Sequence, residues 1–100
     1  MSSTNHDALR LAVAASERML TAASSGDWDA VAALEPERAQ ALGLGHPADA
    51  TSVELLRRML ECNRAIEGHA ATARAEVARK LGQSGQGYRG ASAYLAAARS

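Results

Sequence analysis

Gly26-Asp27-Trp28-Asp29-Ala30-Val31-Ala32-Ala33-Leu34-Glu35-Pro36-Glu37-Arg38 is the stretch on which the fold turns. Gly26 follows Ser24 and Ser25 at the end of a helical pattern, where a residue that tolerates the left-handed conformation closes a helix. Asp27 stands at the next N-cap position, its carboxylate able to accept from the free amides of the following turn, and Asp29 adds favourable charge there. One helix ends and another begins within three residues, so the sequence predicts a tight helical hairpin. Trp28, the chain's single Trp, reads as a core anchor locking the second helix onto the first, the alternative being a direct functional role. Pro36 has no amide proton for the carbonyl of Ala32, and its ring crowds that turn at roughly 3 kcal/mol in an unbroken helix. A kink or one-turn break near Leu34 and Glu35 is therefore predicted, with Pro36 restarting the helix.

Working outward, Leu9, Val13, Ser16, Leu20 and Ala23 recur at steps of three and four, which predicts a first helix over residues 5–25. Ser3, Thr4 or Asn5 can cap it, with Asp7 and Arg18 placed to suit its dipole. The second helix, 27–43, carries a stripe of Trp28, Val31, Leu34 or Glu35, Arg38 and Leu42. Gly43, Gly45, His46 and Pro47 form the next connection, and Thr51-Ser52-Val53-Glu54 fits a capping box. From there Leu56, Leu60, Asn63, Ile66, Ala70, Ala73, Val77 and Leu81 alternate steps of four and three, predicting a third helix over 51–82, roughly 45 Å long. Glu54 with Arg58, Arg57 with Glu61 and Glu76 with Lys80 are spaced as ion pairs on its outer faces. Gly82, Gly85, Gly87 and Gly90 mark a flexible linker over 83–91. Ser92 then opens a short helix over 92–99, which needs docking through Tyr88, Tyr94 or Leu95 to persist. No repeats occur.

The composition supports this reading. Ala supplies 24 of the hydrophobic residues, Leu 11, Val 4 and Ile 1, and Phe is absent. Ala is the strongest helix former and strand formers are scarce, so the fold class is all-α. We expect one domain over 1–100: a small antiparallel bundle of three main helices plus a short, flexibly tethered C-terminal helix. Small side chains gain little on burial, about 0.8 kcal/mol per CH₂, so stability is expected to lean on a partner or a second copy, as in a homodimer. Eleven basic residues balance eleven acidic ones, which removes the basic stripe of a direct nucleic-acid binder. No secretory leader or membrane span is legible, and the chain is expected to be cytoplasmic.

No catalytic constellation emerges. His6, His46 and His69 lie on separate segments, away from the spacing of a helical metal pair. Residues 82–87 superficially suggest a phosphate loop but lack the Lys-Ser/Thr that follows one. Cys62, the single cysteine, reads as a small buried apolar residue rather than a nucleophile. The expectation is a protein without cofactor, metal or catalysis. Asn63 interrupts the apolar stripe, where a buried amide needs partners or costs about 1–3 kcal/mol. It sets register between helices or contacts a client.

The Gly26-Asp27-Trp28-Asp29 corner, followed by Leu34, Glu35 and Arg38, resembles the second helix of the flagellar export chaperone family FliT. Leu60-Glu61-Cys62-Asn63-Arg64-Ala65-Ile66 is similar to that family's Leu-x-x-Asn-x-x-Leu/Ile segment, and Leu81-Gly82-Gln83-Ser84 and Ala93-Tyr94 follow in order. The resemblance covers nearly the whole chain; it departs at Pro36 and in the high Ala content. It implies a cytosolic chaperone of the flagellar type III export system. Such a chaperone binds the C-terminal helical segment of the filament cap protein FliD, prevents premature assembly and brings the cap protein to the export gate component FlhA. In some members the implied partners extend to the export ATPase FliI, its partner FliJ, and FlhC of the transcription activator FlhDC, making the chaperone a negative regulator of flagellar transcription. A client helix would be read in a groove by anchors at helical spacing, and Leu56, Met59, Leu60, Asn63, Ile66 and Ala70 are the expected lining. Tyr88, Tyr94 and Leu95 would carry an autoinhibitory helix competing for that groove, while Gly26, Asp27, Trp28 and Arg38 are a structural signature. The alternatives are a chaperone for another type III substrate, as in the FlgN-type family, or a self-associating bundle without a client.

Overall fold

The computed structural model describes residues 5–83. They fold into three helices, α1 (Asp7–Ser24), α2 (Trp28–Gly43) and α3 (Ala50–Gln83), with no strand among the described residues. The chain divides into two units after His69, and each is described by itself. Ser3, Thr4, the 84–91 part of the expected linker and the expected helix with Tyr88, Tyr94 and Leu95 lie outside the described residues.

The corner between α1 and α2 closes through backbone hydrogen bonds. Gly26 takes φ +77°, and its N–H donates to Ala23 O at 3.1 Å while Asp27 N–H donates to Ala22 O at 2.9 Å. This paired pattern satisfies the last carbonyls of α1 and needs the left-handed residue between its two donors. Asp27 then caps α2, its carboxylate accepting from Ala30 N at 3.1 Å. At the other end of α1, Asn5 Oδ1 accepts from Asp7 N at 2.8 Å, and His6 occupies the N-cap position.

Two expectations about helix boundaries are corrected. The first concerns Pro36: of the expected kink or one-turn break, the break is absent, since α2 runs continuously from Trp28 to Gly43 with Pro36 inside it. Ala32 and Pro36 are both exposed, so the carbonyl that Pro36 leaves unpaired can turn to water, which lets the helix continue. The second concerns the start of α3, which Asp49 caps in place of Thr51. The Asp49 carboxylate accepts from Ser52 N at 2.9 Å, and the backbone carbonyl of Asp49 accepts from Val53 N at 3.1 Å. Glu54 is unavailable for a capping box because its carboxylate pairs with Arg57.

In the first unit α1 supplies most of the core: Leu9, Ala12, Val13, Ala15, Ser16, Met19 and Ala23 are buried. Met19 takes the inward place expected of Leu20, which is half-buried. Leu34 and Ala41 enter from α2, and Ser52, Met59 and Cys62 from α3. Ala12, Val13, Ala41 and Met59 form the centre, with Leu42, Leu55 and Leu56 packed against it. Trp28 is only half-buried. The expected inward line of α3 is rotated: Met59 is buried to 7% exposure, whereas Leu60 is 55% exposed. Positions 52, 55, 59 and 62 share a helix face, and the modest hydrophobicity of Ser52 and Cys62 hides it beside the stronger-looking Leu60 line. In the second unit the described residues are the last turns of α3, where Ala70, Ala73, Val77 and Leu81 are half-buried. There Glu76 and Lys80 pair at 3.3 Å, as their spacing predicts.

Candidate functional site

A polar knot joins one residue from each helix. Ser16 on α1 is fully buried and donates to Ala12 O at 2.9 Å. Arg38 on α2 donates from Nη1 to Ser16 Oγ at 3.4 Å and to the side-chain oxygen of Asn63 on α3. No carboxylate pairs with Arg38 among the described residues, so its half-buried guanidinium rests on neutral acceptors. Asn63 thus ties α3 to α2: its side-chain carbonyl is engaged by Arg38 inside the protein.

Beside this knot, α3 carries an apolar line. Val53 and Leu60 are 54% and 55% exposed, and Leu56 lies between them at the i, i+3, i+7 spacing of one helix face. With Arg57, Glu61 and Arg64 these residues line an open groove of about 490 Å³. A depression of about 380 Å³ adjoins it, sharing Val53 and Leu56 and continuing over Ser52, Asp49 and the connection at Ala48, Pro47 and His46. Of the six residues expected to line a client groove, the structure brings together Leu56 and Leu60. Met59 belongs to the core and Asn63 to the knot, Ile66 is half-buried, and Ala70 falls in the second unit. Sequence reasoning missed Val53, Arg57, Glu61 and Arg64; the Val53-Leu56-Leu60 spacing was the available signal.

Charges around the groove pair differently from the expected i, i+4 pattern. Arg58 turns to Glu17 on α1 at 3.0 Å and to Glu61 at 3.6 Å, which leaves Glu54 to Arg57. The bond that Arg58 donates to Glu17 lifts its guanidinium above the ordinary value, with a smaller contribution from Cys62. Arg64 has no ion-pair partner among the described residues.

His6 and Asp49 fasten the start of α1 to the start of α3. The His6 Nε2 lies 3.1 and 3.0 Å from the two Asp49 oxygens. The Ser52 backbone N–H foremost, opposed by partial burial and aided by the His6 ring, holds the Asp49 carboxyl below its ordinary value. A second exposed patch combines Leu11 and Leu44, 60% and 70% exposed, over a recess of about 540 Å³ reaching Asp7, Ala8 and His46. Nothing in the sequence periodicity singled it out, since Leu44 lies past the end of α2.

What the fold and these surfaces define is an all-helical protein with an open apolar groove. Among the described residues no group of three or more metal-ligating side chains occurs, and no helix is long and apolar enough to cross a membrane. A family model described as Flagellar protein FliT matches residues 6–96, and the chain belongs to that family. Comparison with curated proteins and with solved structures gives no match.

Proposed function

We propose that this chain is a flagellar export chaperone acting as one FliT-like domain in the cytoplasm. It receives the C-terminal helical segment of the cap protein FliD, withholds it from assembly and hands it to FlhA. The observation that carries this reading is the line of exposed Val53 and Leu60, with half-buried Leu56 between them, on α3 of a chain that belongs to the FliT family. A solvent-facing apolar stripe at helical spacing costs solubility unless a partner helix covers it, and an amphipathic client helix supplies anchors at the matching spacing.

The segment over 92–99, carrying Tyr94 and Leu95, acts in this reading as a tethered competitor for the same surface. FliI, FliJ and FlhC are further partners of the client-free form, through which it would restrain flagellar transcription, and a homodimer is its resting assembly. Calorimetric titration of the full chain with the cap-protein segment tests the core of the proposal. Leu60→Asp should weaken binding at least about tenfold, or 1.4 kcal/mol, with an unchanged far-ultraviolet circular dichroism spectrum; unchanged affinity would place the client elsewhere. Removing residues 88–100 should leave the helical signal and tighten at least one partner interaction, and equal or weaker binding to every partner would refute the competitor role.

A further inference from the structure

The groove on α3 has a charge pattern as well as an apolar line. Arg57 is answered by Glu54, and Glu61 by Arg58. Asp49, in the adjoining depression, is answered by His6. Arg64, at the far end of the line and part of the groove wall, has no ion-pair partner among the described residues. We propose that this face takes an amphipathic helix bearing an Asp or Glu three or four residues beyond the apolar anchor that covers Leu60, where it meets Arg64.

The inference rests on the chaperone reading and names the chemistry that its client must carry. Val53 to Leu60 spans about 10 Å along α3, two turns, and Arg64 lies about 6 Å further on. A paired helix thus presents two or three apolar residues to the line before its next turn reaches the guanidinium. Arg holds a carboxylate through a planar fork of donors, more specifically than Lys does. The chain's own segment 84–100 does not fit this pattern, because its charged side chains are Arg89 and Arg99 and it has no Asp or Glu. An external acidic helix is the occupant that the charges favour.

Selection of displayed helix-forming peptides on the full-length chain tests this, followed by calorimetric titration of those enriched. Enriched peptides should show apolar positions at i, i+4 and i+7 with an acid one turn beyond. Arg64→Glu should weaken them about tenfold, with circular dichroism unchanged, and should itself select Lys or Arg at that position. Arg64→Lys should retain most of the affinity. Absence of enrichment, enrichment without an acidic position, or affinities unmoved by Arg64→Glu would overturn the proposal. So would self-association that both Leu60→Asp and Arg64→Glu abolish.

The two readings fail separately. If Leu60→Asp abolishes binding of the cap-protein segment while Arg64→Glu leaves it intact, the charge rule falls and the client groove stands. If that segment fails to bind the wild-type chain while acidic helical peptides bind and need Arg64, the client assignment falls and the surface chemistry stands.

Discussion

Asp49 shows how much one side chain can carry in a protein with so little apolar bulk. Its carboxylate caps α3 through Ser52 N and holds the His6 ring, and its carboxyl titrates below the ordinary value of 3.8. A carboxyl lowered by folding contributes stability that is fully present above the unfolded value and disappears as the pH falls through the folded one. Asp49→Asn is accordingly expected to lower the thermal midpoint at pH 7, and the gap from the wild type should close as the pH drops below about 4. Melting curves of both proteins between pH 3 and 7 check this, and a gap independent of pH would remove the charge from the account.

Two predictions belong to the helices. Pro36 sits inside an unbroken α2, where it forfeits one backbone hydrogen bond without unfolding the turn. Pro36→Ala restores the donor and should stabilise the protein by about 1–3 kcal/mol in urea denaturation; a loss of stability would mean the proline is required for the path of α2. The rotation of α3 gives a sharper test, because adjacent residues should respond oppositely. Met59→Ala empties part of the core centre and should cost about 2–5 kcal/mol. Leu60→Asp, on the exposed line, should change stability by no more than about 0.5 kcal/mol. Equal destabilisation by the two would put Leu60 inside and undo the groove.

Across the three helices of the first unit, the Ser16–Arg38–Asn63 knot supplies directional contacts that an Ala-rich interface lacks. Asn63→Leu leaves the half-buried guanidinium short of an acceptor and should cost about 1–3 kcal/mol. Pairing it with Arg38→Met should recover part of that loss, since both polar groups are then replaced by apolar ones. A double-mutant cycle in urea measures the coupling, and additive effects would show that the contact contributes nothing of its own. The helices, the corner at Gly26 and Asp27, and most of the α1 face were legible, because capping and the 3.6-residue period are local properties of the chain. The start of α3 was not: Thr51 and Asp49 both satisfy a local capping rule, and His6, 43 residues away in sequence, is paired with Asp49. The candidate groove was half legible. Leu56 and Leu60 stood out as apolar, but which of two neighbouring lines faces outward depends on how α3 is rotated against α1 and α2.

The sequence by itself determined the helical class, the hairpin at residues 26–28, and the segments that mark the FliT family. The tertiary structure decided what each polar residue answers to: Arg58 goes to Glu17, Arg38 to Asn63, Asp49 to His6, and Arg64 to nothing among the described residues. The physical reason is one of range. Helix propensity and capping act within a turn or two, whereas the rotation of α3 and the pairing of its charges depend on groups that only packing brings together.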